Sequence, residues 1–260
     1  MTAPTGLRPD PPRGAQAAWD GPALACDNRL MFTGIISGLG RITETRALGS
    51  DASHGKQLTI EVPKGYLDDV QFGDSIALNG ACMTITTFDA TASRFTVDIS
   101  HESLDKTAGL AAVGPVNLEK AMRANDRLGG HMVSGHVDGI GRVTFFQRVG
   151  ESWELRVRAP LALARFVAYK GSITVNGVSL TVNRVIDPKP AFEQSGFGQT
   201  GPDDGGCELS INLIPHTLQN TTLGTLKPGA QVNLEIDLIA RYVERMLTAP
   251  GGSVGRHAPS

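Results

Sequence analysis

Cysteine is scarce in this chain. Cys26, Cys82 and Cys207 are three in 260 residues, far apart and odd in number. That excludes a disulfide framework and a clustered zinc pattern, and it fits a reducing, cytoplasmic compartment. Charge of one sign is lacking too: 24 Lys and Arg face 26 Asp and Glu, a formal net charge of -2. Such a balance gives no basic surface for nucleic acid. No run of about 18 apolar residues exists, so no membrane span is expected. Residues 1–30 lack both hydrophobic periodicity and the apolar segment of a secretory signal. Asp10, Asp20 and Asp27 argue against a transit peptide. The segment reads as a disordered extension, with Met31 as a candidate start.

What the chain has is repetition. Gly34-Ile35-Ile36-Ser37-Gly38-Leu39-Gly40-Arg41-Ile42 recurs as Gly135-His136-Val137-Asp138-Gly139-Ile140-Gly141-Arg142-Val143. Ser75-Ile76, Asn79-Gly80 and Thr84 recur as Ser172-Ile173, Asn176-Gly177 and Thr181. Val116-Asn117-Leu118-Glu119 returns unchanged as Val232-Asn233-Leu234-Glu235. Three phrases in one order imply two tandem domains of roughly 90–110 residues. The spans are 31–127 and 128–237, followed by a helix over 238–248 and a disordered tail over 249–260. The offset between copies grows from 97 at Ser75 to 116 at Val116. The second copy is therefore longer, and the excess falls in the Pro/Gly/Asp-rich stretch 187–206, which reads as a surface-loop insertion.

Alternation in 57–62, 94–99, 153–158 and 207–214 predicts half-buried strands, and Asn79-Gly80 signals a tight turn or bulge. With 31 Gly and 15 Pro spread between short apolar runs, the pattern is all-β: two tandem antiparallel Greek-key barrels. The period changes at the end. Leu238, Ile239, Tyr242, Val243, Met246 and Leu247 form one face of an amphipathic helix, with Arg241, Glu244 and Arg245 on the other. A helix this short needs something to pack on, either its own barrel or copies of itself.

Several motifs fail on inspection. Thr43 and Thr144 stand where a dinucleotide fingerprint needs its third glycine. Gly55-Lys56 lacks the rest of a phosphate loop, and Gly177-Val178-Ser179-Leu180-Thr181 lacks the second glycine of a nucleophile elbow. His131 and His136, placed on a strand, would face opposite ways and could not share a metal.

Shared residues mostly serve a shared fold, so chemistry should lie where the copies differ. Cys82 and Thr84 share a strand face, as do Ser179 and Thr181. Each pair is either a satisfied part of a barrel interior or a ligand wall. At equivalent positions Ile35 stands against His136, Gly73 against Lys170 and Ala121 against Asp237. The second copy thus gains a group that titrates near neutral pH, a cation and a carboxylate, while the first keeps a more neutral pocket.

These residues resemble a known family. Met31-Phe32-Thr33-Gly34-Ile35, the Asn79-Gly80 phrase with Thr84, Gly129-Gly130-His131-Met132-Val133-Ser134-Gly135-His136, Tyr169-Lys170-Gly171, the 177–181 phrase and the 232–237 run are similar to riboflavin synthase of the alpha-chain type. The resemblance covers essentially all of 31–247. It implies two six-stranded barrels, a homotrimer built with the C-terminal helix, and a reaction without metal or cofactor. Two molecules of 6,7-dimethyl-8-ribityllumazine would dismutate to riboflavin and 5-amino-6-ribitylaminouracil. Each barrel would bind one lumazine, and the active site would form between the first barrel of one subunit and the second barrel of its neighbour. An association with lumazine synthase stays open. The departures from the family pattern are the extension before Met31, Ala81 where some members carry a second Cys, and the 187–206 insertion.

By position, the resemblance implies a first pocket from Phe32, Gly34, Ile35, Ile36, Ser75, Cys82, Met83, Thr84 and the run Asp98, Ile99, Ser100, His101, Glu102, Ser103. The second takes Gly135, His136, Val137, Lys170, Ser179, Leu180, Thr181 and the run Asn212, Leu213, Ile214, Pro215, His216, Thr217. His136, Ser179, Thr181, Lys170, Asp237 and Cys82 are the candidates for chemistry. The rival readings are a non-catalytic lumazine- or flavin-binding antenna protein and a flavin-dependent reductase. The reductase would need a nucleotide-binding half for which the chain has no room.

Overall fold

The computed structural model describes residues 31–51, 53–187 and 206–249. Nearly all of the predicted insertion at 187–206 and both chain ends lie outside the described residues. Twelve strands follow in order: β1 (Gly38–Ala47), β2 (Lys56–Glu61), β3 (Ser75–Leu78), β4 (Ala81–Asp89), β5 (Arg94–Ile99), β6 (Gly114–Lys120), β7 (Gly139–Val149), β8 (Ser152–Arg158), β9 (Ser172–Val175), β10 (Val178–Ile186), β11 (Glu208–Leu213) and β12 (Gln231–Ile236). They close two antiparallel barrels, β1-β2-β5-β4-β3-β6 and β7-β8-β11-β10-β9-β12. The order is the same in both, and the crossover from β2 to β5 has its counterpart from β8 to β11, so the duplication is complete at the level of topology. Short helices α1 (His101–Asp105), α2 (Leu161–Ala164) and α3 (Pro215–Asn220) lie between strands, and α4 (Leu238–Thr248) ends the described chain. Among the described residues no helix is long and apolar enough to cross a membrane.

The alternation read from the sequence is the physical basis of each barrel. In β5 Phe95, Val97 and Ile99 point inward, and in β11 Leu209, Ile211 and Leu213 do so. Each barrel has its own apolar core, one around Ile42, Leu58, Ile60 and Leu118, the other around Val143, Leu155, Val157 and Leu234. Closure needs strong coiling, which bulges supply. The register slips at Thr43 in β1 and Thr86 in β4, and at the repeat-equivalent Thr144 in β7 and Asn183 in β10. Thr43 and Thr144, which spoil a dinucleotide fingerprint, are therefore bulge residues.

The repeated phrases also join the barrels. Asn79-Gly80 and Asn176-Gly177 are two-residue hairpin turns with positive φ at both positions. The two turns lie back to back on a local two-fold axis. Asn117 Nδ2 donates to the Asn176 carbonyl (2.9 Å), and Asn233 Nδ2 donates to the Asn79 carbonyl (3.0 Å). All four asparagines are buried. Their letter-for-letter recurrence is explained by this junction and not by a ligand.

Candidate active site

Strand β4 settles which way the small polar pair points. Ala81, Met83 and Ile85 fill the first barrel, so Cys82 and Thr84 face outward, half-buried. In β10 Val178 and Val182 are buried, while Ser179 is half-buried and Thr181 exposed. The pairs are walls on the outside of the barrels; the barrel-interior alternative does not hold.

Each wall is met by a strap from the other barrel. The segment before β1 crosses to the second barrel, where Ser179 N donates to the Gly34 carbonyl (2.8 Å). The segment before β7 crosses to the first, where Cys82 N donates to the Gly135 carbonyl (2.8 Å). Ile36 packs against the second barrel's core and Val137 against the first's. The straps also pair with each other, Phe32 N to Val133 O at 2.8 Å and Val133 N to Phe32 O at 3.1 Å. A methyl group on Gly34 would lie 2.6 Å from Ser179 Cβ, and one on Gly135 2.7 Å from Cys82 Cβ, so glycine is required at both.

A buried carboxylate clamps each strap. Glu119 accepts from Thr33 N (2.7 Å), Thr33 Oγ1 (2.8 Å) and Gly34 N (3.0 Å). Glu235 accepts from Ser134 N (2.6 Å), Ser134 Oγ (2.7 Å) and Gly135 N (3.1 Å). Burial outweighs these bonds and raises both carboxyls, that of Glu235 to about 7. A folded-state value raised above the unfolded one contributes stability that is complete below about pH 4.5 and is lost as pH rises through about 7. The unfolding free energy from urea titration should therefore fall between pH 5 and pH 8, by on the order of 3 kcal/mol for Glu235 alone. Glu235→Gln should show a flatter dependence; an unchanged slope in that variant would exclude Glu235 as its source.

The crossing straps correct the two expected pockets: Gly34–Ile36 go with Ser179 on the second barrel, and Gly135–Val137, with His136, go with Cys82 on the first. His136 is exposed beside Gly135. Lys170 has positive φ (62°), as Gly73 has at the equivalent position (83°). Its Nζ donates to Asn183 Oδ1 (3.0 Å) and lies 5.5 Å from the centre of the Tyr169 ring. Thr181 pairs with Ser172 across the β9–β10 ladder. Asp237 caps α4 and accepts from Ile239 N (2.9 Å). Leu180 packs on the barrel core and Leu213 is fully buried within it. Asn212 accepts from Ser152 Oγ (3.1 Å). Ile214 is exposed at the start of α3, which carries Pro215, His216 and Thr217.

In the first barrel Met83 and Ile99 are core residues, so they can offer a ligand only backbone. Asp98 accepts from Gln57 Nε2 (3.0 Å). Ser100 caps α1 by accepting from Ser103 N (3.1 Å), His101 lies 3.3 Å from Asp105, and Glu102 pairs with Lys106. The Phe32 ring is fully buried among Ala77 and Val133, and Ile35 is half exposed. Gly73, Ser75 and Ala121 line a cleft of about 200 Å³. Gly73 and Ala121 are the equivalents of Lys170 and Asp237, and Ser75 Oγ is buried there without a partner among the described residues. The neutral pocket expected from the sequence has a charged rim, because Asp69 pairs with Lys120 and with Arg123 (2.8 Å).

Residues 33–121 and 134–237 each match the family model described as Lumazine binding domain. The chain is 41% identical over 219 residues to riboflavin synthase of Actinobacillus pleuropneumoniae, covering 84% of this chain and 90% of that one. It is 40% identical to the Bacillus subtilis enzyme of the same name over the same shares. The chain belongs to the riboflavin synthase family.

Riboflavin synthase of Mycobacterium bovis is 40% identical over its whole length, which covers 85% of this chain. Among solved structures, LumP complexed with riboflavin superposes with a TM-score of 0.62 at 25% identity, covering 79% of this chain and 98% of that one. LumP complexed with 6,7-dimethyl-8-(1'-D-ribityl) lumazine gives 0.61 at 23% identity over the same shares, a likeness of fold.

Sequence reasoning on this riboflavin synthase family member misses His131. Strand alternation would set it opposite His136, but 131–136 holds only an isolated bridge at Val133, so no strand period governs it. His131 is buried with Nδ1 2.8 Å from Ser179 Oγ, and His136 is exposed. Among the described residues no cluster of His, Cys, Asp and Glu suits a metal. The signal that would have found His131 is the repeat itself: the same offset that sets His136 against Ile35 sets His131 against Leu30.

Proposed function

We infer that this chain is a riboflavin synthase, converting two molecules of 6,7-dimethyl-8-ribityllumazine to riboflavin and 5-amino-6-ribitylaminouracil by transfer of a four-carbon unit. The observation that carries this is identity of about 40% to curated riboflavin synthases across both barrels. The second barrel supports it, with Ser179 and Thr181 on one strand, Lys170 before β9 and Asp237 at the head of α4, and so does His136 on the strap that crosses to the first barrel.

The chemistry follows from the substrate. One ring methyl is a carbon acid, because its anion delocalises over the lumazine. Ser179 and Thr181 on the second barrel's wall, and His136 on the strap beside Cys82, assist proton movement and nucleophile addition to the acceptor ring. Lys170 and Asp237 orient the ribityl chain or stabilise developing charge. Holding two flat rings face to face contributes further, since proximity alone can be worth about 7–11 kcal/mol. The cleft at Ser75 is small beside the roughly 300–1,000 Å³ of typical ligand pockets. That favours a site completed by the second barrel of a neighbouring subunit. The exposed apolar face of α4 favours a homotrimer as the assembly that supplies it. A cytoplasmic setting suits the scarcity of cysteine.

The test is to supply the purified chain with the ribityllumazine alone, without metal or nucleotide. One riboflavin per two substrates consumed is expected. Tight, fluorescent binding without riboflavin would sink the enzyme reading in favour of an antenna protein.

A further inference from the structure

Ser179 is held from three sides. Its backbone N–H is bound by the Gly34 carbonyl, a methyl group on Gly130 would lie 2.8 Å from its Cβ, and its Oγ meets His131 Nδ1 at 2.8 Å. The His131 ring is 9% exposed, and among the described residues nothing partners its Nε2. We propose that His131 is a positioning residue of the synthase reaction: its Nδ1–H donates to Ser179 Oγ and leaves the serine's own O–H directed at the substrate. This rests on the functional reading above.

The tautomer follows from the burial. A neutral imidazole carries one N–H. On Nε2 that hydrogen would be a buried donor without a partner, whereas the other tautomer leaves Nε2 only as an unpartnered acceptor, and orphaned buried N–H groups are the rarer of the two. On Nδ1 it has Ser179 Oγ as its acceptor. Burial lowers the His131 pKa and keeps the ring neutral, while Asp237, the charged group that acts on it, pulls weakly the other way. With Oγ already accepting, the serine proton is free to donate to a lumazine heteroatom on which negative charge develops, as an oxyanion-hole donor does. The first copy, which starts at Met31, has no residue at the equivalent position, where Leu30 stands just ahead of it, and it has Cys82 at the equivalent of Ser179. A thiol is a weak donor, so the directed donor belongs to the second barrel alone.

The test compares three proteins by steady-state kinetics and lumazine fluorescence titration. His131→Leu, which removes the donor, should lose about tenfold or more in kcat with its lumazine Kd within about threefold, since a donor that acts in the transition state is weakened. His131→Asn restores an amide donor near the Nδ1 position and should recover most of that loss. Nitrogen-15 NMR of the wild-type ring, read without turnover, should find Nδ1 protonated. Wild-type kcat in His131→Leu overturns the proposal, as does a ring protonated on Nε2. Equal losses in the Leu and Asn variants also overturn it, by making His131 a packing residue. Absence of riboflavin from the wild-type chain would instead strike the functional reading.

Discussion

A chain ending at Asp237 is expected to fail to form the proposed trimer and to lose roughly 100-fold or more of the riboflavin-forming turnover proposed for it, since small displacements of a two-reactant site cost that much. Helix α4 is fixed to its own barrel by its polar side: Arg241 pairs with Asp138 (2.6 Å) and Glu244 with Arg165 (2.8 Å). The apolar side is left out. Ile239, Tyr242, Val243, Met246 and Leu247 are 49–71% exposed in the isolated chain. Of the two ways to cover the helix that its sequence allows, packing on its own barrel is ruled out for these residues. Fully burying side chains of this size is worth about 1.5–3 kcal/mol each, enough to hold subunits together. The truncation also removes Ile239 N–H, the capping partner of Asp237. Light scattering with the riboflavin assay checks both parts. A truncated protein that stays trimeric removes the helix from assembly. One that is monomeric yet fully active removes the site between subunits.

Gly177→Ala should cost about 2–6 kcal/mol of stability. Gly177 has φ of 78°, a conformation that charges a Cβ about 1–3 kcal/mol. Its new methyl would also lie 2.7 Å from Gly80 N and 2.9 Å from Gly80 Cα. Both neighbours are backbone at the centre of the junction, so nothing flexible can yield, and overpacking adds about 1–3 kcal/mol. Gly229 is the control. Its φ is 91°, but a Cβ there meets nothing within 4 Å. Gly229→Ala should therefore show the backbone cost alone. Urea unfolding of the two variants measures the difference, and equal midpoints would mean that the barrels do not abut through these turns.

The positions of the strands were legible because each barrel strand is buried on one face, so the solvent boundary is written as alternation. Residues 94–99 are expected as a strand from their pattern and form β5 (Arg94–Ile99). The helix expected over 238–248 is α4 with those bounds, since Asp237 caps it and the apolar period starts at Leu238. Differences between the copies pointed to Lys170 and Asp237, and the structure gives Lys170 and Gly73 the same left-handed backbone. His131 escaped because its importance depends on Ser179, 48 residues away in sequence and reached across a strap that obeys no strand period.

The amino-acid sequence by itself determined the duplication, the all-β class, the terminal helix and the family, because periodicity and repetition are properties of neighbours along the chain. Tertiary structure alone decided that the straps cross between barrels, that Glu119 and Glu235 clamp them, and that the polar pairs face outward. Those facts are contacts between residues far apart in sequence, such as Thr33 with Glu119 and Ser134 with Glu235. They form only once each barrel has closed and its surface has something to bury against.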